Sequence, residues 1–247
     1  MKKTLNAAVA AVLLSLGGAA SADDGVIRIG FITDMSGLSA DADGPGGAEA
    51  IKMAVADMGG AVAGKKIEVL VADHQNRADI ASSRAREWLD QKGVDMLIAG
   101  ANSAAALAMA KVAEEKKTPF FVVSAGASEL TNAQCTPYTV HYVYDTVSLS
   151  RGTARAMLKE GNKDWFFLTV DHAFGHALER DASAVVQADG GQVKGRVRHP
   201  LNSPDFSSFI LQAQASGATV LGLANSANDT SNAVKAAAEF GLTPKMK

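Results

Sequence analysis

One cysteine in 247 residues, Cys135, leaves no pair from which a disulfide could form within the chain. It is expected to be an inert buried thiol, or half of a bridge to residues outside this sequence. An excess of charge is also lacking: 24 Lys and Arg stand against 26 Asp and Glu, a formal net charge of −2. With no basic cluster in the chain, nucleic acid is excluded as the main partner. The apolar stretch at 7–16 falls well short of the roughly 20 residues that a spanning helix needs. Lys2 and Lys3 precede it and Ala20-Ser21-Ala22 follow it, the order of a secretory signal peptide. Residues 1–22 are therefore expected to be removed, leaving a mature chain from Asp23 that is exported to the periplasm and not inserted in a membrane. An N-terminal membrane anchor is the alternative. The absence of a cysteine after the cleavage site argues against a lipid anchor.

Catalytic patterns are scarce as well. The first strand is not followed by the G-x-G-x-x-G spacing of a dinucleotide site; Gly44, Gly46 and Gly47 come late and lack an acidic ribose partner at the usual distance. Gly59-x4-Gly64-Lys65 imitates a phosphate loop, but Lys66 stands where a magnesium-binding hydroxyl belongs and a strand follows, so it reads as a turn. No G-x-S-x-G elbow is present. Cys135 and His141 are close in sequence only, which is weak ground for a catalytic pair. His172 and His176 share the spacing of a metal pair on a helix, but no third ligand is evident, and a place in the wall of a site is preferred. Asn228-Asp229-Thr230 fits both a glycosylation sequon and a helix cap, and is read as the cap. No catalytic residue, metal or cofactor is assigned.

What the chain has is alternation. Apolar strand-like runs at 26–33, 67–72, 94–99 and 120–123 are separated by helical patterns around 48–58, 73–92 and 104–117. After a loop at 131–137 and an extended stretch at 139–144, a helix is expected over 148–160. The pattern then restarts with strands at 165–170, 192–199 and 219–224 and helices at 174–188, 206–214 and 229–240. Gly241 closes the last helix. This order implies parallel sheets with helices on both faces. The break around 135–145 divides it into two lobes, 23–143 and 144–247. The second has three clear strands and stops at Lys247 where another should begin, so the sequence is expected to be part of a longer protein.

The run from Val94 to Ser128 organises the rest. A strand ends at Gly100, Asn102 and Ser103 stand where a helix cap belongs, an Ala-rich helix ends in Lys116 and Lys117, and Pro119 opens the next strand. Both strands end in small residues, Ala101-Asn102-Ser103 and Gly126-Ala127-Ser128. In a parallel βαβ unit these loops lie side by side, with backbone N–H groups and a helix N-terminus facing an anion. They are expected to bind a small carboxylate-bearing ligand; the alternative is that they only cap helices. The loops after the other strands, at 34–43, 171–174 and 225–229, face the same way and would complete a cleft between lobes.

The stretches IRIGFITDMSG, AGKKIEVLVADHQN, GANSAAALAMAKVAEEKKTPFFVVSAGASELT and DHAFGHALERD together resemble periplasmic solute-binding proteins of branched-chain amino-acid ABC transporters. The resemblance covers 26–247. It implies the type I periplasmic binding fold, as in leucine-binding proteins: two Rossmann-like α/β lobes that close on a ligand, with the C-terminal part missing here. Carried over position by position, it implies that Ser103, with Asn102 beside it, takes the ligand carboxylate. Gly126, Ala127 and Ser128 would hold its amino or carboxylate end. Phe174, with His172 near it, would be an aromatic wall, and Asn225 and Ser226 would close from the second lobe. Phe174 stands where many members carry Tyr, and the acid that commonly pairs with an α-ammonium would lie beyond Lys247.

The implied function is capture of a small carboxylate-bearing solute, an amino acid, amide or aromatic acid, for delivery to an inner-membrane ABC permease. The alternative is a ligand-sensing receptor domain of the same fold. An enzyme is not expected.

Overall fold

The computed structural model describes residues 24–247, so the expected signal peptide lies outside the described residues. The first sheet has six strands: β1 (Val26–Thr33), β2 (Ala61–Val62), β3 (Lys65–Asp73), β4 (Met96–Ala99), β5 (Phe120–Val122) and β6 (Thr139–His141). They are ordered β2-β3-β1-β4-β5-β6. All pairings are parallel except the short β2–β3 hairpin, read from sequence as a turn only. The second sheet holds β7 (Asp164–Val170), β8 (Gln192–His199) and β9 (Val220–Ala224), in the parallel order β8-β7-β9. The helices are α1 (Ala40–Asp43), α2 (Pro45–Asp57), α3 (Ala78–Gln91), α4 (Ser103–Lys116), α5 (Thr146–Lys159), α6 (Ala173–Ala188), α7 (Ser207–Ala215) and α8 (Ala227–Glu239). Two α/β lobes result, as the alternation implied. Among the described residues no helix is long and apolar enough to cross a membrane.

Small residues set the spacing in the first lobe. Ala81 and Ala85 of α3 and Ala105, Ala106, Ala110 and Ala113 of α4 are buried, so two helices approach each other and the sheet closely around Leu97, Met109 and Phe120. Trp88 lies over Gly30 so closely that a Cβ there would be 2.7 Å from the indole. In the second lobe Phe166 and Leu168 of β7 pack against Ile210, Phe206 and Ala237. Trp165 and Phe167 face α5 and α6 on the other side. A buried cluster on each face of one strand explains why 165–170 reads as an unbroken apolar run.

Three local expectations need correction. Cys135 is exposed, not buried, because the 131–137 loop runs over the surface. The start of α5 is Thr146, two residues before the expected Ser148. Asp145 caps it by accepting from the Ser148 N–H at 2.7 Å, and Ser148 Oγ takes the Asp145 N–H, a reciprocal capping box. Asn228-Asp229-Thr230 does not cap α8. Ser226 occupies the cap position, and the buried Asp229 carboxylate instead accepts from the N–H groups of Asn202 and Ser203 at 2.9 and 3.2 Å.

Along the outer edge of the second sheet a cavity of about 430 Å³ is lined by Met157, Phe167, Leu221 and Leu223. Lys247 lies against that edge. Its N–H donates to Thr219 O, and its carbonyl accepts from Leu221 N–H, both at 2.9 Å, the pairing of a parallel strand.

Candidate functional site

The strands of both sheets end toward one another, and Asn102 sits where the lobes meet. It follows β4, caps α4 and has φ +88°, a backbone region that Asn tolerates better than most residues. Its Oδ1 accepts the Ala105 N–H and the His172 ring, both at 3.0 Å. Its Nδ2 donates to the carbonyl and side-chain oxygens of Asn76, each at 3.2 Å. Asn76 also donates to Asp34, a fully buried carboxylate after β1 that takes the Gly37 and Ser39 N–H groups at 2.8 Å. An unbroken polar chain therefore runs from β1 through the β3 and β4 loops to the second lobe.

His172 is the N-cap of α6. Its Nδ1 accepts the Phe174 N–H at 3.3 Å, so its proton sits on Nε2 and is donated to Asn102. Burial pushes its pKa below the ordinary histidine value of 6.5, and the neighbouring His176 pushes the same way. His74 after β3 is similarly placed. It accepts the Asn76 N–H at 3.1 Å and donates to Ala101 O at 3.1 Å, and burial holds its pKa down against the pull of Asp34, Asp73 and Asp43. Both imidazoles are structural donors in neutral form. His176 turns away to pair with Asp171 at 2.6 Å. No group of three or more metal-ligating side chains forms among the described residues.

Ser103, buried at the first position of α4, accepts the Ala127 N–H through its hydroxyl at 3.1 Å. The two small-residue loops of the central βαβ unit are thus joined directly. The Ser103 hydroxyl proton finds no acceptor among the described residues. Gly126 is covered by rings from two directions: a Cβ there would lie 2.9 Å from Tyr144 and 3.2 Å from Phe174. Only glycine lets the second lobe's Phe174 approach the β5 loop so closely. Ser128 is also buried, but its hydroxyl is engaged. It donates to Asp181 at 2.8 Å and accepts from Arg180 at 2.9 Å, while its N–H goes to Thr146 Oγ1 at 3.1 Å.

Asn225 and Ser226 follow β9. Asn225 is 7% exposed, with Oδ1 2.9 Å from His199 Nε2. The other end of its amide is buried with no partner, an uncommon cost in a folded protein. Ser226 is half-buried and its hydroxyl makes no capping bond.

The structure therefore brings Asn102, Ser103, Gly126, Ala127, His172 and Phe174 together, and Ser128 lies beside them. Asn225 and Ser226 belong to the strand-end layer of the second lobe. Sequence reasoning had Asp34 only as part of the 34–43 loop and missed His74, Asn76, Tyr144, Thr146, Arg180 and Asp181. His74 and Asn76 share the strand-end position of Asn102 and were legible on that ground. Asp181 lies mid-helix, 53 positions from Ser128, and carries no local signal. Neither serine hydroxyl bonds a histidine, so no nucleophile–base pair is formed at these two residues.

Two α/β lobes whose strand-end loops meet, as Asn102 meets His172 here, are the architecture of a class of solute-binding proteins. The family model for periplasmic binding proteins matches residues 26–247, and the chain belongs to that family. It is similar to a periplasmic binding protein of Burkholderia mallei, with 64% identity, a TM-score of 0.88, and coverage of 90% of this chain and 59% of that one. It is also similar to an ABC-transporter solute-binding protein of Rhodopseudomonas palustris solved with 4-hydroxybenzoate. That likeness has 26% identity and a TM-score of 0.81, covering 90% of this chain and 60% of that one. A Leu/Ile/Val-binding protein homologue of Brucella abortus is 29% identical over 220 residues, which are 88% of this chain and 55% of the relative. The chain thus spans little more than half the length of the relatives it matches.

Proposed function

We propose that this chain is the substrate-binding component of an ABC transporter. It would capture a small carboxylate-bearing solute between its lobes in the periplasm and deliver it to the inner-membrane permease. The solute class is an amino acid, an amide or an aromatic acid. The Asn102–His172 bond carries the reading, because it brings the N-terminus of α4 and that of α6 together where the lobes meet. Two helix N-termini facing one space favour an anion without a charged partner side chain. Ser103 supplies a hydroxyl proton to the carboxylate, with Ala127 and Gly126 beside it. Phe174 forms the apolar wall. Asn225 offers its unpartnered amide from the second lobe, with Ser226 next to it. Asn102, His172 and Ser128 hold these walls in place, and the chain passes between lobes at 143–144. The 4-hydroxybenzoate complex and the Leu/Ile/Val-binding name of two relatives support the range of solutes.

A thermal-shift panel of aliphatic amino acids, benzoates and short amides tests this. The expected result is a midpoint that rises with concentration for at least one member, since a ligand at 100 times its Kd stabilises the folded state by about 2.7 kcal/mol. A flat response across the panel at millimolar concentrations would overturn the reading.

A further inference from the structure

We propose that Asp181 is a latch residue: through Ser128 and Thr146 it fixes how firmly the two lobes close. Its side chain, only 12% exposed, projects from α6 of the second lobe. One carboxylate oxygen accepts both Ser128 Oγ at 2.8 Å and Thr146 Oγ1 at 2.6 Å. Thr146 stands where the chain enters α5 from the first lobe. It receives the Ser128 N–H at 3.1 Å and gives its own N–H to Gly126 O at 2.9 Å. The other oxygen of Asp181 accepts from Arg180 Nε at 3.0 Å. Arg180 continues to Ser128 Oγ at 2.9 Å and to the carboxylate of Glu129.

One acidic side chain thus ties the loop after β5 to the crossover and to α6. The same helix is held a second time at its tip, where His172 meets Asn102. Nine residues separate the two points, about 14 Å along a helix at 1.5 Å per residue. A rod held at two separated points swings less readily than one held at a single point, so the two contacts together hold α6, and with it the second lobe, against the first. All of these bonds run between protein groups, and bonds to an ionised acceptor are the stronger kind. They favour the closed arrangement whichever solute is bound. Apparent affinity then scales with the fraction of molecules held closed, so loosening the latch weakens binding without touching a solute contact. That consequence rests on the reading of the gap as a solute cleft; the latch itself does not.

The lobe separation is read by pulsed electron–electron spin resonance, with one label on the exposed Cys135 and a second on a cysteine from Gln212→Cys. In Asp181→Ala the distance distribution is expected to broaden and shift as the lobes part, with no solute required. Thr146→Val, which keeps the side-chain shape and removes one hydroxyl, is expected to give a smaller shift in the same direction, and it serves if the first variant does not fold. For whichever panel member binds, affinity is expected to fall about tenfold in Asp181→Ala. An unchanged distance distribution in the folded variants overturns the latch. If affinity then falls with the distribution unchanged, Asp181 is a solute contact. A changed distribution with no panel member bound supports the latch and counts against the transport reading alone.

Discussion

Ser103 and Ser128 look alike in the sequence, each a small hydroxyl residue at the end of a βα loop, yet their surroundings give them different work. Ser103 spends only its acceptor, on the Ala127 N–H, and its hydroxyl proton has no acceptor among the described residues. Ser128 both donates and accepts within the protein, to Asp181 and from Arg180. Removing the Ser103 hydroxyl is therefore expected to weaken solute binding roughly 10- to 100-fold, the worth of one hydrogen bond to a charged group. Calorimetric titration of Ser103→Ala checks it; an unchanged Kd in a folded variant would move the carboxylate elsewhere. The histidines predict a pH response. His74 and His172 are held neutral in the fold by burial, with pKa values below 6.5. The unfolded chain takes up their protons near that value, so it binds more protons than the fold once the pH drops below it. Stability is then full above pH 6.5 and declines as the pH falls toward the folded pKa. Thermal midpoints measured between pH 7.5 and 5.5 should fall, and His172→Gln should flatten that slope; a slope identical to wild type would show that His172 is not held neutral.

Elements were largely legible from the sequence, and the misses have physical causes. The βα alternation, the Asn102 cap and the three strands of the second sheet all follow from period, cap chemistry and apolar runs. The β2 hairpin strand was missed because two residues are too few to carry a period. The start of α5 was displaced because Ser148, read as the first helical residue, is the N3 partner of the cap Asp145, three residues upstream of it. The burial of Cys135 was misjudged because the path of a surface loop decides it, not the thiol. Asp181 was invisible because its partners Ser128 and Thr146 are far from it in sequence, and Ser128 comes from the other lobe. At this scale Asp145→Ala removes the cap of α5 and is expected to cost about 1 kcal/mol, read as a lower denaturation midpoint at constant m-value. No loss of stability would show that the box contributes nothing net.

As a whole, the molecule is two sheets joined at their strand ends by polar bonds rather than by a continuous apolar core. The buried clusters stay within their own lobes, while Asn102–His172 and the Asp181 group cross between them. Such a junction can yield as a unit, since separating it exposes groups that water can satisfy. The apolar cavity beside β9 is a different kind of feature, lying along a sheet edge where Lys247 already pairs as a strand. The proposed solute site therefore lies between the strand ends and not in that cavity. Amide NMR of the labelled protein, titrated with leucine and with 4-hydroxybenzoate, decides between the two most directly. The prediction is that a binding solute moves the resonances of Ser103, Ala127, Phe174 and Asn225 together. Shifts confined to Leu221, Leu223 and Met157, or none from either compound, would contradict it.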